Sequence, residues 1–302
     1  MKTIVNELLE VLVASQATLK DDIEASLPTL YKGDRYLIYA KDDKPKPMLC
    51  VHLDTINTHS VTKELKTTFE DFEYDENLGV IALNPNSSLS CLGGDDRAGV
   101  WIALKLIEHM EATNNFKYNI GFFEDEEIGC HGSYCFSLES EALNVVINTT
   151  CYIGLDRRSP KGAQEVALYG YDNRELTDTF VALGYSETLG SVTDASELAN
   201  DSIACCTLSV GYDKEHSKDE VIYVKCMVDT LEVLKALELP DKPYTPEVSY
   251  NSFDYGYDND AWYLQELEAE NRVLKDELAS LGCDVTALLE EYGIYSESYY
   301  EY

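Results

Sequence analysis

The chain has 302 residues, 23 basic against 56 acidic, and a formal net charge of −33. That balance excludes a basic nucleic-acid binder, whose affinity comes from neutralising phosphates, and it argues against an anionic membrane surface as partner. With 45% apolar residues there is enough material for a sizeable core, which excludes wholesale disorder.

At the start of the chain, MKTIVNELLEVLVASQ is interrupted by Glu7 and Glu10, so it lacks the continuous apolar centre of a secretory signal. No stretch approaches the roughly 20 apolar residues that a membrane span needs. A soluble, unexported, cytoplasmic protein is expected. The nine cysteines are odd in number and scattered, with no C-x-x-C pair. They fit reduced thiols rather than a disulfide framework or a zinc ribbon, with Cys205 and Cys206 as small core residues.

From residue 1 to about 240, short β-branched or apolar runs alternate with helical patterns, which predicts an α/β layer fold with a largely parallel sheet. In chain order the predicted strands are Tyr36 to Tyr39, Met48 to Leu53, Val80 to Leu83, Tyr118 to Phe123, Tyr152 to Leu155 and Ile203 to Val210. Helices are predicted from Gly99 to Met110 and from Val228 to Leu237. Pro240, Pro243 and Pro246 then break regular structure, so residues 1–240 are read as one domain and 241–261 as a Pro/Tyr/Asp-rich linker. Over 262–291 a heptad places Leu264, Asn271, Leu278 and Val285 at one seam position and Leu267, Leu274, Leu281 and Leu288 at the other. That pattern predicts a helix that either self-associates as a coiled coil or folds back on its own body. Residues 292–302 are acidic, aromatic and expected to be disordered.

In open α/β sheets ligands gather beyond the carboxyl ends of the strands, and five polar groups fall there. They are His52-Leu53-Asp54; Gly93-Gly94-Asp95-Asp96-Arg97-Ala98-Gly99 before a helix; the four acids Glu124 to Glu127, running into Ile128-Gly129-Cys130-His131-Gly132-Ser133; Asp156; and Tyr212-Asp213-Lys214-Glu215-His216. Taken singly, each has a plain structural explanation. The strand period of two puts Asp54 on the side of His52, where a carboxylate can fix the tautomer of a ligating imidazole. Together, the order His, Asp, Glu, Asp, His supplies two nitrogen and three oxygen donors, suited to zinc or a similar divalent ion, and to two ions if one Asp bridges. Three ligating carboxylates and one hydroxide balance two divalent cations.

Over roughly Leu49 to Leu237 this ordered set resembles the co-catalytic zinc exopeptidases, the superfamily of peptidase T, bacterial aminopeptidases and related amidohydrolases. Asp-Asp-Arg-Ala-Gly at 95–99 is closest to the peptidase T-like members, and Glu-Glu-Ile-Gly-Cys-His-Gly-Ser at 126–133 is similar to the aminopeptidase branch. The resemblance implies a three-layer, mostly parallel mixed sheet with helices on both faces, plus the C-terminal helical tail. It implies His52, Asp95 and Asp156 on one metal, and Asp95, Glu127 and His216 on the other. Asp95 rather than Asp96 would be the shared acid, Asp54 the acid that orients His52, and Glu126 the general base toward a hydroxide bridging two metals, zinc first with manganese or cobalt as alternatives. Many relatives insert a lid of about a hundred residues between the fourth and fifth ligands, but Asp156 and His216 are 60 positions apart, which implies a lidless body. Arg157 and Arg158, and Thr193 and Asp194 within Gly190-Ser191-Val192-Thr193-Asp194-Ala195, are carried as substrate-binding residues. His59, His109 and His131 are read as bystanders. The expected function is an aminopeptidase on short peptides. An amidohydrolase or deacylase on a non-peptide amide, and a metal-binding scaffold without activity, stay open. Glu126, which a scaffold would not need, favours the enzyme.

Overall fold

The computed structural model describes residues 2–27, 30–56, 67–139 and 148–247. Its elements are α1 (Lys2–Val13), α2 (Gln16–Ser26), β1 (Leu30–Lys32), β2 (Tyr36–Tyr39), β3 (Lys46–His52), β4 (Phe72–Asp75) and β5 (Val80–Leu83). There follow α3 (Gly94–Thr113), β6 (Asn119–Phe123), α4 (His131–Glu139), β7 (Thr149–Arg157), β8 (Glu165–Leu168), α5 (Arg174–Ala182) and β9 (Ser186–Leu189). The last are α6 (Asp194–Leu198), β10 (Cys205–Ser209), β11 (Tyr212–Asp213), β12 (Val221–Tyr223) and α7 (Val224–Ala236).

Eight strands form one sheet in the order β1-β2-β6-β3-β7-β10-β8-β9. The central run β6-β3-β7-β10 is parallel throughout. Strands β2 and β8 flank it in antiparallel pairing, and β9 joins β8 in parallel. Every residue of β3 is buried, as expected for a strand covered on both faces. On one face Leu49, Val51, Ile153 and Leu155 pack with Val100, Ile102, Leu106 and Ile107 of α3 and with Met227 and Leu231 of α7. On the other, Met48, Cys50 and Tyr152 pack with Phe136 of α4 and with Ala195 and Leu198 of α6. Each fully buried aliphatic side chain here contributes about 1.5–3 kcal/mol, so the two apolar layers fix which strand ends meet. The result is the three-layer, mostly parallel α/β architecture. A second, antiparallel sheet of order β11-β12-β5-β4 adjoins it and carries the β11–β12 loop.

Several elements were not among the predicted ones. The N-terminal residues form α1, with Val5, Leu8, Val11 and Leu12 buried on one face at helical spacing. Regular α3 geometry starts after Asp95 and Asp96, whose ψ angles of 107° and 34° are not helical and whose connecting peptide is cis. Residues 241–247, in the expected linker, lie along this body, with the Glu247 amide donating to the Asp172 carbonyl at 3.1 Å. Tyr244 is buried because its amide donates to the Thr150 carbonyl at 2.8 Å and its own carbonyl accepts from the Ala204 amide at 2.7 Å. Beyond residue 247, the rest of the expected linker, the heptad segment 262–291 and the tail 292–302 lie outside the described residues. Among the described residues, all eight cysteines are free thiols, and no helix is long and apolar enough to cross a membrane.

Candidate metal centre

The sheet order β6-β3-β7 sets three carboxyl ends side by side. His52 at the end of β3 lies opposite Phe123, the last residue of β6, and the pairing of Cys50 with Gly154 brings Asp156 level with His52. Asp54 and the Glu126–Glu127 turn follow these ends. The start of α3 supplies Asp95 and Asp96 from one layer, and the β11–β12 loop supplies His216. Five segments distant in sequence therefore converge at one rim.

His52 Nε2 lies 3.0 Å from Asp95 Oδ1, 3.6 Å from Asp156 Oδ1 and 3.9 Å from Glu126 Oε2. His216 Nε2 lies 3.3 Å from Asp95 Oδ2 and 2.9 Å from Glu127 Oε2. The two oxygens of Asp95 thus face two different imidazoles. Ligand atoms of His52, Asp95 and Glu127 all fall within 4.8 Å of one another, and so do those of His52, Asp96 and Asp156. Of the two acids, Asp96 is already tied into the scaffold: Oδ2 accepts from the His52 amide at 3.2 Å and Oδ1 from the Gly99 amide at 3.1 Å. That approach requires glycine at 99, where a Cβ would stand 2.0 Å from the Leu155 carbonyl oxygen and 2.3 Å from Asp96 Oδ1. Two imidazole nitrogens and several carboxylates, one facing both imidazoles, fit divalent ions of the zinc type.

Proton affinities reflect the crowding. Burial alone would lower His52, but bonding to Asp156, Asp54 and Asp95 prevails and raises it well above the usual histidine range. Burial likewise opposes protonation of His216, yet Asp95 and Glu127 lift it to about 11. Asp95 is the converse case: burial works upward, and the imidazoles of His216 and His52 hold it well below the carboxylate range. Burial, then the charge of Asp95, raises Asp156 to about 7. Burial raises Glu126 well above its ordinary value even against the pull of His52.

The run of four acids divides in two. Glu124 accepts from Gln16 Nε2 at 2.9 Å and pairs with Lys20, while Asp125 pairs with Arg35. Glu126 and Glu127 face the cluster. Their backbone amides are both held by Asp54, whose Oδ1 and Oδ2 accept from Glu126 N and Glu127 N at 3.1 Å each. His52 Nδ1 stands 3.4 Å from Asp54 Oδ1, longer than a good hydrogen bond, so seating the Glu126–Glu127 turn is a second task for Asp54. Behind them, the buried Arg97 gives Nη2 to the Ala14 carbonyl at 3.0 Å and places its charge near Asp54 and Asp96; burial brings it down to about 10.

Of the residues carried for substrate binding, Arg157 and Arg158 stand at the end of β7 and Thr193 and Asp194 at the start of α6. Strand alternation turns Arg157 away from Asp156, and its Nε and Nη2 each reach Glu165 Oε2 at 3.0 Å. Arg158 pairs with Glu215 at 3.4 Å. Thr193 caps α6, and Asp194 is buried there beside Ser133, pushed up to about 7 chiefly by burial. His131 Nε2 meets the Ile128 carbonyl at 3.1 Å, His109 is half-buried on α3, and His59 lies outside the described residues. Two contributors had no assigned role in the sequence reading. Tyr212 donates its hydroxyl to Asp156 Oδ1 at 3.0 Å, and Glu220 is wholly buried against the Gly93–Asp95 turn. The polar loop around His216 held both, but only their burial reveals them.

No protein-family model matches the chain, and no curated protein does. Solved structures do. The aminopeptidase PepT of Bacillus cereus aligns at TM-score 0.54 and 14% identity over 77% of this chain and 96% of its own. A tripeptidase of Staphylococcus aureus gives 0.54 and 14%, over 77% and 97%. The TET aminopeptidase of a marine-sediment thaumarchaeon gives 0.57 and 10%, over 80% and 99%. At these identities the likeness is one of fold: the chain has the α/β architecture of these three solved structures.

Proposed function

We propose that this chain is a metal-dependent hydrolase that removes the amino-terminal residue of short peptides, with two divalent ions, zinc foremost, as cofactor. The observation that carries the reading is the split of Asp95, one oxygen to His52 and the other to His216, with Asp156 on one side, Glu127 on the other, and Glu126 left over. His52, Asp95 and Asp156 would hold one ion, and Asp95, Glu127 and His216 the other. When bound, such ions lower the pKa of water toward about 7 and polarise a carbonyl. Glu126 takes the proton of the attacking water on its carboxylate and delivers it to the departing amine; its raised proton affinity favours taking up that proton. Asp54 keeps Glu126 and Glu127 at fixed positions through their amides. A net charge of −33 favours a substrate with a cationic free amino end, and the fold-mates named as aminopeptidases and a tripeptidase are compatible with that choice.

Aminoacyl, di- and tripeptide and N-acyl substrates assayed with and without chelator test this. Free-amine peptides are expected to be cleaved, cleavage to stop on chelation, and zinc, manganese or cobalt to restore it. Turnover of N-acyl substrates alone would favour the deacylase reading, and a protein that loads metal but cleaves nothing would favour a scaffold.

Metal uptake carries a pH dependence of definite sign. In the metal-free protein His216, raised to about 11, holds a proton near neutrality, and Asp156, raised to about 7, is partly protonated. Binding must displace these protons, so acidification favours the free form. Zinc affinity is expected to weaken by about tenfold per pH unit for each proton displaced. Titrations at pH 6, 7 and 8 measure this, and an affinity flat across that range contradicts it.

A further inference from the structure

The turn that presents Asp95 cannot satisfy its own amides. Gly93, in the left-handed region at φ 78°, stands where a helix usually has a capping side chain. The acceptor comes instead from more than 120 positions away in sequence: Glu220 Oε2 accepts from the Gly93 amide at 3.0 Å and Oε1 from the Asp95 amide at 3.1 Å. The carboxylate packs so closely that a Cβ at residue 94 would stand 2.9 Å from Glu220 Oε1, which accounts for the second glycine of the pair. Glu220 has no exposed surface. A buried acid costs several kcal/mol unless compensated, and here backbone N–H groups, rather than a Lys or Arg among the described residues, meet both of its oxygens. An apolar residue would serve the core better at this place, so the acid has another task.

Resting on the metal reading above, we infer that Glu220 is a positioning residue. It clamps the Gly93–Asp95 turn so that the Asp95 carboxylate stays divided between His52 and His216. The position of Glu220 fits this, because it ends the loop that carries His216 and precedes β12 (Val221–Tyr223), while Tyr212 on β11 holds Asp156. One hairpin therefore delivers a ligand and fixes two others.

The test uses the full chain, with zinc alone as probe. In Glu220→Gln the amide keeps one acceptor and turns a donor toward the second backbone N–H. The expected result is a folded protein that loses one buried hydrogen bond and the stability it carries, and whose zinc affinity, measured by competition with a chromophoric chelator, falls about 10–100-fold. A merely structural role predicts the lower melting midpoint with zinc affinity intact. Glu220→Asp retains the carboxyl group but is one methylene too short to reach both amides, so it is expected to lose affinity in the same direction even if the Gln variant does not fold. A folded variant that binds zinc within about twofold of wild type overturns the inference alone. A wild type that takes up no zinc overturns the metal reading and the inference with it.

Discussion

Glu126→Gln is expected to lower kcat by about 10²–10⁴-fold while leaving metal content unchanged. Glu126 is the acid of the cluster that stands apart from the close contacts: its nearest imidazole nitrogen, His52 Nε2, is 3.9 Å away, whereas Asp95 and Glu127 lie within 3.0 Å of one. Its other oxygen meets the Cys130 thiol at 3.8 Å, a weak donor kept protonated by burial. The Gln side chain is nearly isosteric and its backbone amide still reaches Asp54, so the turn is preserved and proton transfer alone is removed. Turnover and bound metal measured on the same preparation decide the matter. Activity within about tenfold of wild type would assign the proton to another group. Loss of metal together with activity would make Glu126 a ligand.

The second large effect is expected at Asp95, and the contrast with its neighbour makes it specific. Asp95→Asn replaces one of two oxygens that face separate imidazoles with a donor and removes the negative charge, so both halves of the site weaken. Zinc affinity is expected to fall by about 10²-fold or more, with activity lost at limiting metal. Asp96→Asn changes a group whose oxygens accept from the His52 and Gly99 amides. One of those bonds survives in the amide, and the main cost is a buried hydrogen bond, about 1–3 kcal/mol of stability. Metal stoichiometry beside thermal melts separates the two. A protein that keeps its metal in Asp95→Asn and loses it in Asp96→Asn would transfer the shared role to Asp96.

Much of this arrangement was legible in the chain itself. Strands β2 (Tyr36–Tyr39) and β5 (Val80–Leu83) begin and end where the apolar runs do. The central strands fall on the other predicted runs, because strands covered on both faces must be apolar without interruption. Residues that break such runs with His, Asp or Glu mark strand ends, and sheet topology alone then gathers them. The N-terminal helix was equally present in the spacing of Val5, Leu8 and Leu12, but that segment was weighed only as an export signal. Tyr244, among the prolines of the expected linker, is buried, since a proline-rich stretch can still lie along a body when one aromatic side chain anchors it.

Composition and pattern fixed the fold class, the acidic character and the order of the ligand-type residues along the chain. These depend on local properties: hydrophobic periodicity, turn chemistry and charge. Which acid of a pair does what depended on tertiary contacts. The family resemblance singled out Asp95, Glu126 and Glu127, but by residue type alone Asp95 and Asp96 are alike, and so are the four acids from Glu124 to Glu127. They part because Lys20 and Arg35 neutralise two of the four, because backbone amides engage Asp96, and because two imidazoles meet Asp95. The partners of Glu220 lie 125 and 127 positions away, a separation across which local sequence carries no signal. A hydrogen bond is decided within a few tenths of an ångström, and only the packed core sets positions that finely.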